Sequence, residues 1–187
     1  MFAIDYDGTI AATNAVKSRW IREHLGLDVP PWLCDHTSCS GAMSEEEYQR
    51  IARDVYSEAE TLRAAPVPGA PEALQALAVR GPVYVVTARM PEQVAASRRW
   101  LENHGLAGCV RDIVSAAGDE KIALAERLGC RALVDDDGRH LRGEASGLLR
   151  IHLRAGMPGR AAMKDGVLVC TTWQDALAAA LDAAARG

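Results

Sequence analysis

Short runs of apolar residues alternate with longer amphipathic stretches along most of this chain. Runs rich in Val, Ile and Leu predict β-strands, and they lie at residues 2–4, 83–86, 110–114, 132–134, 148–153 and 167–170. Amphipathic stretches that open with proline, an acidic residue or threonine predict helices, and they lie at residues 71–79, 91–104, 119–128 and 173–184. Because strands and helices alternate in series, we predict an α/β fold with a Rossmann-like, doubly wound and mostly parallel sheet.

One long stretch interrupts this alternation, because it carries helical patterns with no strand between them. The first pattern covers residues 13–25, and the second follows Ser44 and Glu47. These two residues have the spacing of a capping box, which is typical of a helix N-terminus. We therefore predict a small helical cap inserted after the first strand, and we divide the chain into a cap of residues 10–65 and a core of residues 1–9 and 66–187.

The composition is that of a globular protein, since 49% of the 187 residues are hydrophobic. The formal net charge of −4 comes without a basic stripe, which disfavours nucleic acid as a partner. The first apolar run meets Asp5 at once, and no later run is long enough to cross a bilayer. The sequence therefore predicts no signal peptide, no membrane partner and a cytoplasmic location. No pattern in it indicates an oligomeric state.

The cysteines are scattered along the chain, and their number is odd. Such a set argues against a disulfide framework and is consistent with a reducing compartment. Cys34 and Cys39 lie close together with His36 between them, but a matching second pair is missing. A zinc site in this segment is therefore not favoured.

Polar side chains follow several of the predicted strands at the point where each strand ends. Asp5 and Asp7 follow the first strand, and Thr87 ends the second. Lys121 lies in the segment that leaves the third, and an acidic run follows the fourth, at Asp135, Asp136 and Asp137. Because the carboxyl ends of parallel strands share one edge of a sheet, where ligands usually bind, we expect these side chains to converge there.

The charges of this cluster restrict its chemistry. Several carboxylates at one place repel each other unless a cation joins them. Oxygen ligands without a neighbouring histidine suit magnesium better than zinc. Lys121 would add a second positive charge near a helix N-terminus, where the helix dipole disfavours a cation. An anionic ligand would explain both this lysine and the cation that the carboxylates require. A phosphate ester is such a ligand, and its slow uncatalysed hydrolysis requires strong charge stabilisation.

In their order along the chain, these residues resemble the motifs of the haloacid dehalogenase (HAD) superfamily of aspartate-nucleophile phosphatases. The segment from Asp5 to Thr9, Asp-Tyr-Asp-Gly-Thr, is similar to the first motif, and Val-Val-Thr-Ala-Arg, ending at Arg89, is similar to the second. Lys121 corresponds to the third motif and the acidic run after Val134 to the fourth. The resemblance covers the chain from its first strand to about Gly138.

The resemblance implies a role for each matching residue. Asp5 would attack phosphorus, while Asp7 would protonate the leaving oxygen and then deprotonate water. Thr87 and Lys121 would bind phosphoryl oxygens. Magnesium would be held by the Asp5 carboxylate, the Asp7 backbone carbonyl and a fourth-motif carboxylate, with Asp136 preferred over Asp135. The remaining motif residues would contact the substrate, and these are Gly8, Thr9, Ala88 and Arg89, although Arg89 could equally pair with an acid of the cap.

Within the superfamily, the Thr-Ala-Arg segment ending at Arg89 and the short cap resemble the deoxyribonucleotidase-like branch. The resemblance implies a small phosphorylated substrate, such as a nucleotide or a sugar phosphate. An aspartate at position 7 favours hydrolysis of a phosphate ester over dehalogenation. Two other functions stay open, namely a non-catalytic phosphate-binding module and a phosphotransferase that uses an acceptor alcohol.

Overall fold

The computed structural model of the protein describes residues 1–41, 43–116 and 120–186. Within these residues the strands form a single sheet of seven. In chain order they are β1 (Phe2–Ile4), β2 (Val83–Thr87), β3 (Asp112–Ser115), β4 (Ala132–Asp135), β5 (Leu149–Leu153), β6 (Ala162–Lys164) and β7 (Val167–Cys170).

The spatial order of the strands is β3-β2-β1-β4-β5-β7-β6. All neighbours pair in parallel except β6 and β7, which form an antiparallel hairpin. The central strand β1 lies between β2 and β4, with Ile4 in register with Val85 on one side and Val134 on the other. This confirms the predicted mostly parallel sheet. The carboxyl ends of the central strands therefore open at one edge.

Helices cover both faces of the sheet. They are α1 (Thr13–Leu25), α2 (His36–Ser40), α3 (Glu45–Val55), α4 (Glu58–Arg63), α5 (Ala70–Arg80), α6 (Pro91–Asn103), α7 (Lys121–Arg127) and α8 (Trp173–Ala185). Along β1, Phe2 and Ile4 join a core that includes α5 and α8, whereas Ala3 joins a second core with α7. Successive side chains of a strand point to opposite faces, which is why a strand buried on both sides has a continuous apolar sequence.

Residues 10–65 contain more helices than the two predicted there. In the structure, the helix that follows Ser44 ends at Val55. A separate helix, α4, begins after Ser57, whose hydroxyl accepts a hydrogen bond from the Glu60 amide. A serine side chain that binds the backbone in this way begins a helix more readily than it continues one. The short helix α2 was also missed. The division of the chain into a core and a cap remains a prediction.

Smaller differences have local causes. The strand predicted from Val110 begins at Asp112, because a 3₁₀ turn occupies Ala107–Cys109. The hairpin of β6 and β7 was missed, although Asp165 and Gly166 connect it with positive φ angles of 50° and 73°, as an Asp-Gly type I′ turn requires. The helix predicted from Asp119 begins at Lys121, and Asp119 lies outside the described residues. In the described part of the chain, no helix combines the length and the apolar character needed to cross a membrane.

Candidate active site

Three aspartates meet where β1 and β4 end. Asp5 follows β1, Asp135 is the last residue of β4, and Asp136 comes next. One carboxylate oxygen of each lies within 4.8 Å of the others. The strand order reverses between β1 and β4, and at this switch point of an open α/β sheet a crevice forms for a ligand. Three of the acidic residues predicted to converge on this edge are thus close together.

Lys121 links two of these carboxylates. It is the first residue of α7, and its ammonium donates hydrogen bonds to Asp5 Oδ1 at 2.5 Å and to Asp135 Oδ2 at 2.7 Å. Its side chain is only 1% exposed. The predicted convergence of Lys121 with the acidic residues is therefore present, and its charge is matched directly by carboxylates.

The carboxylates differ in how much of their charge is compensated. Burial raises the pKa of Asp5 to about 7, despite the attraction of Lys121. Burial, together with the charges of Asp5 and Asp135, also raises the pKa of Asp136 well above its usual value. The pKa of Asp135 is lowered to about 2, because Lys121 and His140 outweigh its burial. Negative charge is thus in excess on the side of Asp5 and Asp136.

These oxygen atoms fit a hard divalent cation, which would neutralise the excess charge. Asp135 already accepts bonds from Lys121, from the Asp137 amide at 2.9 Å and from the His140 ring, whose Nδ1 lies 3.2 Å from both carboxylate oxygens. Asp136 is less committed, since its Oδ2 accepts a bond from the Asn14 amide at 2.5 Å. Asp5 and Asp136 are therefore the better direct ligands, and Asp135 is better suited to hold Lys121.

Gly8 permits the close approach of Asn14 and Asp136. Its φ angle is +79°, and a Cβ at this position would overlap with Asp136 Oδ2 and Asn14 Nδ2. Thr9 is fully buried, and its carbonyl accepts a hydrogen bond from the Trp173 indole at 2.8 Å. Neither Gly8 nor Thr9 lines the acidic cavity described below. The two residues shape the loop after β1, and their contact with the substrate stays a prediction.

Arg89 pairs with Asp7 in a bidentate arrangement. Its Nε and Nη2 donate to the two carboxylate oxygens, each at 2.8 Å, and Thr13 Oγ1 donates to the same carboxylate at 2.8 Å. Burial alone would raise the pKa of Asp7, but Arg89 and Thr13 lower it below its usual value. Arg89 Nη1 also donates to Thr61 of α4 at 2.8 Å. Arg89 thus pairs with an acid of the first motif, a partner that neither sequence alternative considered.

Thr87 and Ala88 lie at the end of β2. The Thr87 side chain is fully buried, and its hydroxyl accepts a hydrogen bond from the Arg89 amide at 3.1 Å. It orders the loop that carries Arg89, while Met90 is the N-cap of α6. Ala88 and Arg89 line the cavity next to Asp7.

A cavity of about 220 Å³ opens above the acidic residues. Its floor is formed by Asp5, Asp7, Lys121 and Asp136, and its wall includes residues of α1, α2 and α3, together with Tyr56 at the end of α3. The helices between β1 and β2 therefore complete the site.

Sequence reasoning missed several residues of the site. Lys17 lies on the buried face of α1 with Thr13 and Ile21, and a lysine on an apolar helix face was a signal that it could have used. Asn14 precedes it by three positions on that helix. His140 had no comparable signal, because only the turn after β4 brings it to Asp135.

No protein-family model and no curated protein matches the chain. Solved structures do match. A HAD family hydrolase from Deinococcus radiodurans R1, with bound phosphate and sodium, is 17% identical and has a TM-score of 0.58 over 97% of this chain and 95% of that chain. A HAD hydrolase from Bacillus subtilis bound to magnesium is 13% identical, with a TM-score of 0.55 over 95% of this chain and 96% of that chain.

A haloacid dehalogenase-like hydrolase from Streptococcus pneumoniae is 15% identical, with a TM-score of 0.54 over 81% of this chain and 83% of that chain. A dehalogenase also shares the fold. These matches do not support the predicted deoxyribonucleotidase-like branch. At such low identity they establish the fold alone, and the chain therefore has the α/β fold of the hydrolases of the haloacid dehalogenase superfamily.

Proposed function

We propose that this protein is a magnesium-dependent phosphomonoesterase that works through a phosphorylated Asp5. One observation carries the proposal, namely that the Lys121 ammonium lies between Asp5 and Asp135 on the floor of a cavity that Asp7 also lines. A nucleophilic carboxylate, a second carboxylate for proton transfer and a cation for phosphoryl charge are the parts that this chemistry needs. Phosphate and magnesium bound in proteins of the same fold agree with it.

In the first step, an Asp5 carboxylate oxygen attacks phosphorus, and the bond between phosphorus and the ester oxygen breaks. The leaving oxygen takes a proton from Asp7, so an alcohol departs. In the second step, water attacks the phosphoryl group on Asp5 and gives a proton to Asp7, which releases phosphate and restores both aspartates. Splitting the reaction in this way lowers each barrier.

The remaining residues of the site would stabilise charge. Lys121 donates to Asp5 in the resting enzyme and is positioned to donate to the phosphoryl oxygens as they approach. Magnesium held by the Asp5 and Asp136 carboxylates and the Asp7 carbonyl would neutralise phosphoryl charge when bound. Asp135 would keep Lys121 in place, and His140 would in turn support Asp135.

Arg89 must change partner during this cycle. While its guanidinium binds both oxygens of Asp7, the carboxylate is held in its ionised form and cannot protonate a leaving group. Phosphoryl oxygens are an alternative partner of the same geometry for a guanidinium. We infer that the bound phosphoryl group draws Arg89 away from Asp7, and that the Asp7 carboxylate then takes a proton from solvent, which it passes to the leaving oxygen.

Competing functions make different predictions. A dehalogenase has no use for a proton-transferring Asp7, and a non-catalytic module has no need of a complete set of motif residues. A phosphotransferase would share every step except the last, in which an alcohol replaces water. A nucleotide substrate stays a prediction, although 220 Å³ is small beside the 300–1,000 Å³ typical of cavities for larger ligands.

The test is phosphate release by the purified full chain, with and without magnesium, from a panel of small phosphomonoesters, sugar phosphates and nucleotides. We expect turnover only with magnesium, and a loss of at least about a thousandfold for Asp5→Asn, since the nucleophile is removed. Asp182→Asn, an exposed aspartate of α8, is the matched control and should keep full activity. Full activity in Asp5→Asn would exclude the proposed nucleophile.

Two further measurements separate the alternatives. Mass spectrometry of enzyme quenched during turnover should find a phosphoryl group on Asp5. Addition of alcohols should leave inorganic phosphate as the main product, whereas a phosphotransferase would form new phosphate esters. Release of halide from haloacids, without phosphate release from any ester, would favour a dehalogenase.

A further inference from the structure

Lys17 extends from α1 and lines the same cavity as the aspartates. The residue is only 3% exposed, and it lines the same cavity as Asp5 and Lys121. Its ammonium donates a hydrogen bond to the Cys34 carbonyl at 3.1 Å and lies 5.4 Å from the centre of the Tyr56 ring. Among the residues that the structure describes, no carboxylate lies within 4.0 Å of it.

The other buried cations of the cavity are matched differently. Lys121 binds two carboxylates, and Arg89 binds both oxygens of Asp7. Lys17 instead has the Cys34 carbonyl and Tyr56, whose side chain also forms a hydrogen bond with it. Burial lowers the pKa of Lys17, but Tyr56, Tyr48 and Asp136 together raise it above its usual value, so the ammonium is charged at neutral pH. A buried ammonium that no carboxylate contacts is only partly compensated, and an anionic ligand in contact with it would complete the compensation.

We propose that Lys17 binds a second anionic group, located on the leaving part of the substrate, so that the natural substrate is a small phosphomonoester that also carries a carboxylate or another phosphate. This inference rests on the proposed function, and it adds the class of substrate. Lys17 belongs to the helices between β1 and β2, whereas the residues assigned to the phosphoryl group follow core strands or begin α7. The second anion would therefore bind beside Lys17, next to the helices between β1 and β2.

The size and lining of the cavity agree with such a substrate. A volume of about 220 Å³ holds a phosphoryl group and a leaving group of a few carbon atoms. Near Lys17 the wall also presents Tyr48, Gln49 and His36, which could donate hydrogen bonds to anionic oxygens. The Arg139 guanidinium at the rim is paired with Asp137, with Nε 2.9 Å from Oδ2, and is less available.

Lys17 could instead serve only to offset the charges of Asp136 and Asp7, both of which it attracts. The two roles differ in what the loss of Lys17 would do. A residue that offsets the charge of the metal ligands affects magnesium affinity and the turnover of every substrate alike. A residue that binds the second anion affects only substrates that carry one, and chiefly through KM.

The experiment compares phosphoglycolate, its uncharged analogue phosphoglycolamide, and ethylene glycol bisphosphate as substrates of the full chain with magnesium. We expect the wild type to prefer the two doubly anionic esters over the amide. In Lys17→Gln the preference, measured as a ratio of kcat/KM values, should fall at least about tenfold, because a buried charge pair is lost. Lys17→Arg should keep most of it. The matched control Lys164→Gln, which alters an exposed lysine of β6, should keep all of it.

The arms of the test separate the two claims. If Lys17→Gln has the same ratio of kcat/KM values between the esters as the wild type, whether or not all three values fall, the inference is overturned and the phosphatase proposal stays intact. If no ester is hydrolysed, the proposed function fails, and calorimetric binding then decides the inference. In that case phosphoglycolate should bind to the wild type more tightly than phosphoglycolamide does, and Lys17→Gln should bind both equally. Equal binding of the two compounds to the wild type would overturn the inference.

Circular dichroism checks the fold of the variants. Lys17→Met replaces Lys17→Gln if the latter does not fold.

Discussion

At the scale of single residues, the aspartates that follow β1 and β4 have distinct surroundings although they share one chemistry. Asp5 is bound by Lys121, Asp7 by Arg89 and Asp136 by Asn14. The pKa of Asp7 lies below its usual value and that of Asp136 above it. Three carboxylates of the same chemical type therefore have different pKa values, because each has a different buried hydrogen-bond partner. The different pKa values suit them to different tasks.

Gly8→Ala tests the close approach at the loop after β1. The added methyl group would collide with Asp136 and Asn14, and the backbone φ of +79° disfavours any side chain. We expect weaker magnesium binding and a loss of about 2 kcal/mol in the free energy of unfolding, measured by urea denaturation. Gly26→Ala is the matched control, because its φ of +68° carries the same backbone strain while no atom lies within 4 Å of the new methyl group. Equal magnesium affinity in both variants would contradict the steric explanation.

Lys121→Met tests the charge balance on the cavity floor. Removal of the ammonium leaves the Asp5 and Asp135 carboxylates buried without their cation. We expect the free energy of unfolding to fall by about 3 kcal/mol at neutral pH, with part of the loss restored by magnesium. Lys164→Met on the exposed strand β6 should unfold at the wild-type urea concentration. Wild-type stability of Lys121→Met in the absence of metal would argue against this charge balance.

At the scale of elements, the sheet and the helices between β1 and β2 contribute different residues to the site. The strand ends and the start of α7 carry the charged floor, whereas α1 and α3 carry Lys17 and Tyr48 of the wall. α3 begins with a capping box in which the Ser44 hydroxyl accepts a bond from the Glu47 amide, and the Glu47 carboxylate accepts one from the Ser44 amide. Helix caps far from the chemistry therefore help to hold residues that line the cavity.

Ser44→Ala tests this connection. Loss of the cap should lower the free energy of unfolding by about 1 kcal/mol and raise KM for the best phosphomonoester, because α3 would fray near Tyr48. Thr172→Ala removes the corresponding cap of α8, where the Thr172 hydroxyl accepts a bond from the Asp175 amide. A similar loss of stability with an unchanged KM is expected there. If both variants have the same KM, the cap of α3 does not contribute to substrate binding, and the prediction is wrong.

At the scale of the whole molecule, ligand binding and folding are linked, because the cavity joins segments distant in sequence. Magnesium at about a hundred times its Kd should stabilise the fold by about 2.7 kcal/mol, measured as a rise in Tm that a chelator reverses. Asp136→Asn should gain much less from magnesium. Without metal it should be at least as stable as the wild type, because a repelled buried carboxylate becomes a neutral amide. An equal rise in Tm for both proteins would exclude Asp136 as a ligand.

The sequence was sufficient for the parallel sheet and for the edge at which the chemistry gathers. Strand periodicity and the positions of Asp5, Thr87 and Asp135 are local properties, and the geometry of parallel strands turns them into a common edge. The helices that the sequence did not predict begin at residues whose local pattern fits more than one structure. In the segment before β2, Ser57 can cap a helix or lie within one, and only packing determines which.

The sequence by itself determined the fold class, the order of the motifs and the sheet edge at which Asp5, Lys121 and the acidic run from Asp135 gather, because strand patterns are local and parallel strands share one edge. The tertiary structure alone decided the partners. It paired Arg89 with Asp7, turned His140 toward Asp135 and left Lys17 facing the cavity without a carboxylate. Such pairings depend on distances between side chains that are far apart along the chain, and no periodicity in the sequence encodes those distances.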